Sequence, residues 1–389
     1  MSRERIGKVA ELLLEYFEQD KTFQANSIMT VPAEAYTDPD RLRAEISLIF
    51  KRVPLMLALS CEIPKPGDYK ALGTVGLPVL IARDKAGVVR AFLNVCAHRW
   101  SPVVAEGYGN CVRFTCPFHG WTYSADGRLI GVTDRSKFGD FETSARGLTP
   151  LPCEERHGMI FVSLTPGISL DLDEYYGSLL KEYAFAGLQH WTLLGTRSVE
   201  GANWKITLNN FFETYHFATL HAKTVAVDFA SDITHYEGFG PNMRIALVQR
   251  SIGKLREVPR AKWGEQEGQG FGFIRFFFPN VTGYVGTELA VFTQTFPGAT
   301  PDKSHTTLIF LRKDPPQDDV EREQLKKMID SSCEIDGEDF GVGLKIQTGL
   351  KSGAHDGVLY GRNERGNQYF HEWLSWYLHG DPSCPKAVM

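Results

Sequence analysis

Residues 92–123 read FLNVCAHRWSPVVAEGYGNCVRFTCPFHGWTY, in which one cysteine precedes a histidine by two places and another precedes a second histidine by three. Cys96-x-His98 and Cys116-x2-His119 supply two thiolates and two imidazoles. Any fold that uses them together must hold two loops in fixed register, because ligand geometry tolerates little error. Such a set suits a tetrahedral zinc, or a 2Fe-2S cluster in which two histidines replace two cysteines on one iron. Structural zinc hairpins usually space ligands two to four residues apart within each half, so the single-residue gap of C-x-H favours the cluster. Neutral imidazole in place of anionic thiolate makes reduction easier, lifting the potential to roughly -150 to +300 mV from about -400 mV. Cys111 fits neither motif. With Cys61, Cys153, Cys333 and Cys384 it reads as an ordinary thiol.

The chain around these motifs, from about residue 50 to 165, consists of short β-branched runs broken by the turn signals PKPGDY, GTVGLP, RDKAGV and SADGRL. That pattern predicts an all-β module. Asp126-Gly127 lies between Trp121-Thr-Tyr123 and Leu129-Ile130, a hairpin signal just after the second Cys/His pair. Farther on, FGFIRFFF at 271–278 and TTLIFLRK at 306–313 read as strands, and 317–330 and 337–351 as helices. The whole is therefore expected to be an α+β fold in two domains. At the N-terminus Ile6, Val9, Leu13, Tyr16 and Phe17 define one face of an amphipathic packing helix.

A formal charge of -5 supplies no broad positive field for phosphate backbones, so nucleic acid is not an expected partner. The longest apolar run, VPLMLALSC at 53–61, is far shorter than the roughly 20 residues a membrane span needs. Seven scattered cysteines do not form a disulfide framework, which points to a reducing, cytoplasmic setting.

A cluster only relays single electrons, and a second constellation offers a place to use them: NWKITLNNFFETYHFATLH at 203–221. On a helix, Glu213, His216 and His221 fall within roughly 140° of one face at about 100° per residue. The step from His216 to His221 is too wide for a zincin pair, and a helix end or distortion near His216 would let both imidazoles meet one metal. The plain alternative is two core histidines with satisfied hydrogen bonds. Two neutral histidines and one carboxylate leave open positions on Fe(II), as in non-heme oxygenases. EIDGEDFGVGLKIQTGL at 334–350 offers Asp336, Glu338 and Asp339 as the carboxylate. Asp339 shares a helical face with Val342, Ile346 and Leu350, which favours it, and Glu338 is the fallback.

PKPGDY, NVCAHRW and CPFHGWTY-x-x-DGRL, in that order, resemble the Rieske domain of Rieske non-heme iron oxygenases, and the downstream Asn-Trp-Lys, acidic-x-x-His-x4-His run is similar to the same family's mononuclear-iron motif. Glu338-Asp339 followed by Gln347, Gly349 and Leu350 agrees with its C-terminal pattern. The resemblance implies an N-terminal helical part of the catalytic domain at 1–42, an all-β Rieske domain at 43–164, and a helix-grip catalytic domain with an antiparallel sheet at 165–389. It implies a 2Fe-2S cluster on Cys96, His98, Cys116 and His119, and iron on His216, His221 and Asp339. Glu213 would bridge a Rieske histidine of one subunit and an iron-ligating histidine of its neighbour in a ring of three chains. Asn209 departs from the acidic residue common there, which leaves the subfamily open.

No G-x-G-x-x-G follows a strand, so NAD(P)H would act through a separate reductase, with or without a ferredoxin. The implied activity is O2-dependent hydroxylation or demethylation of an aromatic or similarly hydrophobic molecule by a homotrimer of α-subunits. Phe271, Phe273 and Phe277 on one strand face and Phe276 and Phe278 on the other read more readily as core than as pocket. Trp204 and Asn203 pack the helix start, His355 and Asp356 sit in a surface loop, and FHEW at 370–373 belongs to a packing helix. Two rivals stand beside this reading. One is an electron carrier with about two irons per chain rather than three; the other is a ligand-binding module that consumes no O2.

Overall fold

The computed structural model describes residues 3–380 and divides into two compact units. Cys384 lies outside the described residues. The smaller unit comprises residues 50–172 and 187–190. It is built from short antiparallel strands in three sheets: five strands with Leu77–Arg83 at the centre, three with Met159–Val162 at the centre, and three with Thr122–Ser124 at the centre. The Asp126-Gly127 turn does join two strands, Thr122–Ser124 and Leu129–Gly131. One core of Leu80, Phe92, Phe114, Trp121 and Tyr123 takes in both cysteines of the motifs, and Cys111 packs at its edge. Burying side chains of this size contributes about 2–3 kcal/mol each, which fixes the loops that emerge from these strands.

Among the described residues, the larger unit comprises 3–49, 173–186 and 191–380. Its centre is a seven-stranded antiparallel sheet of β1 (Thr192–Gly201), β2 (Phe229–Phe239), β3 (Asn242–Gln249), β4 (Phe271–Phe277), β5 (Val281–Val285), β6 (Leu289–Pro297) and β7 (Ser304–Arg312), in the order β1-β7-β6-β5-β4-β3-β2. The helices of interest are α1 (Arg3–Gln19), α2 (Pro39–Glu45), α3 (Trp204–Asn209), α4 (Asp319–Lys351) and α5 (Arg365–His379). The α+β class expected from sequence is the one observed.

The sheet is apolar on both faces, and different helices cover each. Val9 and Leu13 of α1 pack with Phe271 and Phe273 on one side. On the other, the ring of Phe276 lies 4.6 Å from Phe212 and 5.7 Å from Phe370 of α5. The alternating phenylalanines of β4 are thus core on both faces, and Phe370 and Trp373 make α5 the packing helix that FHEW suggests. His355 and Asp356 lie in an exposed loop.

Two helix expectations need correction. The segments at 317–330 and 337–351 are one continuous helix, α4. Ile329 is buried and Cys333 half-buried against Leu308 and Phe310 of β7, so packing carries the helix through Ser331, Ser332 and Gly337. Its buried stripe is Phe340, Gly343 and Gln347, one residue round from the face that Asp339 shares with Val342 and Ile346, which lines a cavity instead. The cause is contact with a segment far away in sequence: Gly343 faces Ala202 and Ile206, and the Gln347 side chain accepts the Asn203 backbone N–H at 3.0 Å.

Candidate metal centres

The Cys/His loops of the smaller unit are built alike. In the first, Cys96 N–H donates to Ser101 O (2.8 Å) and Trp100 N–H to Cys96 O (3.0 Å); in the second, Cys116 N–H donates to Trp121 O (2.8 Å) and Gly120 N–H to Cys116 O (2.9 Å). The residue four places after each cysteine is left-handed, with φ 64° at Trp100 and 72° at Gly120. Glycine meets that demand freely, whereas a tryptophan pays about 1–2 kcal/mol. Both cysteines are buried and free of disulfide. The Tyr123 hydroxyl accepts the Ala97 N–H at 3.0 Å, so its own proton points to Cys96 Sγ, 3.2 Å away. Burial, together with the neighbouring Cys116, pushes the Cys96 thiol pKa up, a cost that bound metal would offset.

His98 and His119 lie with ring centroids 4.6 Å apart, and His98 stacks on Trp121 at 5.0 Å. Burial, then the charges of His119 and Arg99, push the His98 pKa down, which favours the neutral imidazole a metal would need. Its Nδ1 is buried and has no hydrogen-bond partner. Among the described residues, one group alone offers three ligand atoms to a single ion, and it is not this one. Two thiolates and two imidazoles on adjacent loops suit a cluster with the thiolates on one iron and the imidazoles on the other.

The group that does converge is His216, His221 and Asp339, whose ligand atoms all lie within 4.8 Å of one another. It begins at α3, where the Asn203 side chain caps the first turn by accepting Lys205 N–H at 2.9 Å. Behind the cap, Lys205 Nζ donates to both Glu45 oxygens at 2.7 Å, and Trp204 Nε1 donates to the same carboxylate at 2.9 Å. The Asn-Trp-Lys entry is therefore an anchor for the helix rather than part of the chemistry.

The helix end expected near His216 falls earlier, at Asn209. The Thr214 carbonyl accepts Asp232 N–H from β2 at 3.1 Å and the Ser231 hydroxyl at 3.0 Å, and the Glu213 side chain takes the backbone N–H groups of Tyr215 and His216. Those competing bonds replace the helical ladder. His216 and His221 thus sit on successive turns, with ring centroids 5.0 Å apart.

Each imidazole has an outer and an inner nitrogen. His216 Nδ1 contacts Glu213 Oε1, and His221 Nδ1 lies 2.6 Å from Glu338 Oε2. The inner nitrogens face Asp339: His221 Nε2 is 3.2 Å from Oδ2, and His216 Nε2 is 3.6 Å from Oδ1. Asp339 Oδ1 has no hydrogen-bond partner. Burial opposes charge on His221, but its contacts with Asp339 and Glu338 outweigh that and lift its pKa. Burial likewise raises Asp336, with the Asp339 charge adding to it and His221 opposing, to about 7. A cavity of about 240 Å³ beside the site is lined by Tyr36, Asn209, Glu213, His216, Asp339 and Tyr360 among others. The residues fit a mononuclear metal: two imidazoles oriented through their outer nitrogens and one carboxylate with a free oxygen.

Family models match both parts of the chain. The Rieske [2Fe-2S] domain covers residues 53–145, and the ring hydroxylating alpha subunit (catalytic domain) covers residues 188–380. The chain belongs to the Rieske non-heme iron oxygenase alpha subunits. This Rieske alpha subunit is 33% identical over 239 residues to the glycine betaine monooxygenase oxygenase subunit of Chromohalobacter salexigens, covering 60% of the chain and 52% of the relative. It is 30% identical over 209 residues to the anthranilate 1,2-dioxygenase large subunit of Acinetobacter baylyi, covering 52% and 44%. The chain thus spans about half the length of the curated relatives it matches. Its fold is that of the quaternary ammonium Rieske monooxygenase CntA in complex with an inhibitor (TM-score 0.79, 21% identity, covering 90% of this chain and 95% of that one). It is also that of naphthalene 1,2-dioxygenase from Rhodococcus sp. (TM-score 0.73, 22% identity, covering 97% and 99%). No helix among the described residues is long and apolar enough to cross a membrane.

Proposed function

We propose that this chain is the terminal oxygenase of a multicomponent Rieske system, in which NAD(P)H reduces a separate reductase and the electrons reach O2 here. Cys96, His98, Cys116 and His119 hold the 2Fe-2S cluster, and His216, His221 and Asp339 hold one Fe(II). The observation that carries this reading is the convergence of His216, His221 and Asp339 in a chain that also bears a Rieske domain. Iron in such a set supplies open positions for O2. The chain's own residues do the rest. Glu213 fixes the His216 ring and serves as the electron bridge, Glu338 occupies the outer nitrogen of His221, and the neighbouring cavity walls limit water. The balanced reaction takes a C–H compound, O2, NAD(P)H and a proton to the C–OH product, water and NAD(P)+.

The substrate is a small organic molecule. Relatives act on glycine betaine, carnitine, N,N-dimethyl phenylurea and anthranilate, which supports testing N-methyl amines beside aromatic acids. We take the working assembly to be a ring of three chains.

Oxygen uptake with a surrogate reductase, NADH and that panel tests the activity, and iron analysis tests the centres. About three irons per chain are expected, and about two would leave an electron carrier. His216→Ala is expected to keep the Rieske visible spectrum while losing one iron and turnover. Continued turnover in that variant refutes the ligand assignment. Glu213→Ala is expected to keep both metals and stall transfer between them; normal single-turnover oxidation of its cluster would remove the bridging role.

A further inference from the structure

We propose that Glu338 is a positioning residue that fixes the tautomer and orientation of His221 and so sets the metal affinity of the second centre. This rests on the reading that His216, His221 and Asp339 hold iron. Glu338 Oε2 stands 2.6 Å from His221 Nδ1 and also accepts the Thr224 hydroxyl at 3.3 Å. An ionised carboxylate only accepts, so with a metal on Nε2 the one ring proton sits at Nδ1, where Glu338 accepts it.

The neighbouring residue takes the other edge of the same ring, with Asp339 Oδ2 3.2 Å from Nε2. Consecutive side chains leave a helix about 100° apart, which lets one dipeptide of α4 reach both nitrogens of a single imidazole. The helix therefore delivers a ligand and the clamp for another ligand together. Glu213 does the corresponding work on His216 from a turn, where two backbone N–H groups also hold it. Glu338 lacks that backbone anchorage, and its side chain is 37% exposed. Its placement thus depends on α4 docking. Sequence spacing made it a substitute for Asp339; the contacts separate the two roles.

The test uses full-length protein with the 2Fe-2S cluster intact and the second site stripped by chelator. Anaerobic titration with Fe(II) gives the dissociation constant, and Co(II) adds a visible d–d spectrum that reports ligand geometry. Wild type, E338A, E338Q and D339A are compared. E338A is expected to bind about 10- to 100-fold more weakly with its Rieske spectrum unchanged. E338Q, whose amide oxygen still accepts from Nδ1–H, should recover most of that loss, and D339A should lose binding. An E338A variant that binds like wild type overturns the assignment. An E338Q variant as weak as E338A also overturns it, because the hydrogen bond would then not matter. E338A behaving like D339A, with the Co(II) spectrum lost, would make Glu338 itself a ligand. Wild-type protein that takes up neither ion overturns the iron-centre reading and this assignment with it, whereas a wild-type-like E338A overturns this assignment alone.

Discussion

Lys205→Met should be among the costlier single changes outside the metal ligands. Lys205 and Glu45 are 1% and 0% exposed, and the ammonium donates to both carboxylate oxygens at 2.7 Å. Methionine keeps the volume and removes the charge, leaving Glu45 ionised and buried. Removing one partner of such a pair costs about 3–5 kcal/mol. Two donors remain to Glu45: Trp204 Nε1 at 2.9 Å and the partly exposed Arg41 Nε at 3.2 Å. The expected loss is therefore near the lower end, about 3 kcal/mol, or more than a hundredfold in the local opening equilibrium. Hydrogen exchange over the α3 segment reads that opening directly, and metal loading should fall with it because the turn bearing His216 follows α3. Glu45→Gln combined with Lys205→Met removes the stranded charge while keeping an acceptor for Trp204, and should recover about half of the loss. A single variant within about 0.5 kcal/mol of wild type, which is the range of an ordinary surface change, refutes the reasoning. So does a double variant less stable than the single one.

Asp336 and Trp100 supply further tests. Because Asp336 stands at about 7 in the folded, metal-free protein and 3.8 otherwise, its proton contributes stability that is full below about pH 4 and lost as pH rises through 7. Asp336→Asn should flatten that slope and stabilise the metal-free protein at pH 8 by about 2 kcal/mol, allowing for half of the displacement at about 1.4 kcal/mol per unit. Urea titrations at pH 5 and pH 8 check it, and an unchanged slope would count against the buried-carboxylate reading. Trp100→Gly should relieve the left-handed strain in the first Cys/His loop and stabilise it by about 1 kcal/mol. Since Trp100 is 81% exposed, little packing is lost. Thermal bleaching of the cluster's visible absorption should move upward by a few degrees; a downward move would mean the tryptophan contributes contacts of its own.

Features set by local chemistry were legible in the sequence. The Cys/His loops, the Asp126-Gly127 hairpin, the strands around Phe271 and Thr306 and the apolar face of α1 each depend on neighbours a few residues away. What misled was competition from farther off. The carbonyl of Thr214 is taken by Asp232 and Ser231 of β2, so the helix stops before Glu213 rather than near His216. Gly343 presents no side chain to Ala202, which turns α4 by one residue and hides Phe340 and Gln347 instead of Val342 and Ile346. Glu338 was visible only as an alternative to Asp339. Two adjacent acids were the available signal that each has its own part.

Helix α4 sits late in the chain, and Glu338 and Asp339 on it meet His221, 117 and 118 residues earlier. A growing polypeptide that has passed His221 but not yet reached Asp339 possesses both imidazoles and no place to retain an ion. Uptake must wait until the sheet has closed and the last long helix has settled on it. On the proposed ligand set, occupancy of this centre then reports that α4 has been made and has docked, and fragments ending before residue 339 should remain empty however much iron surrounds them.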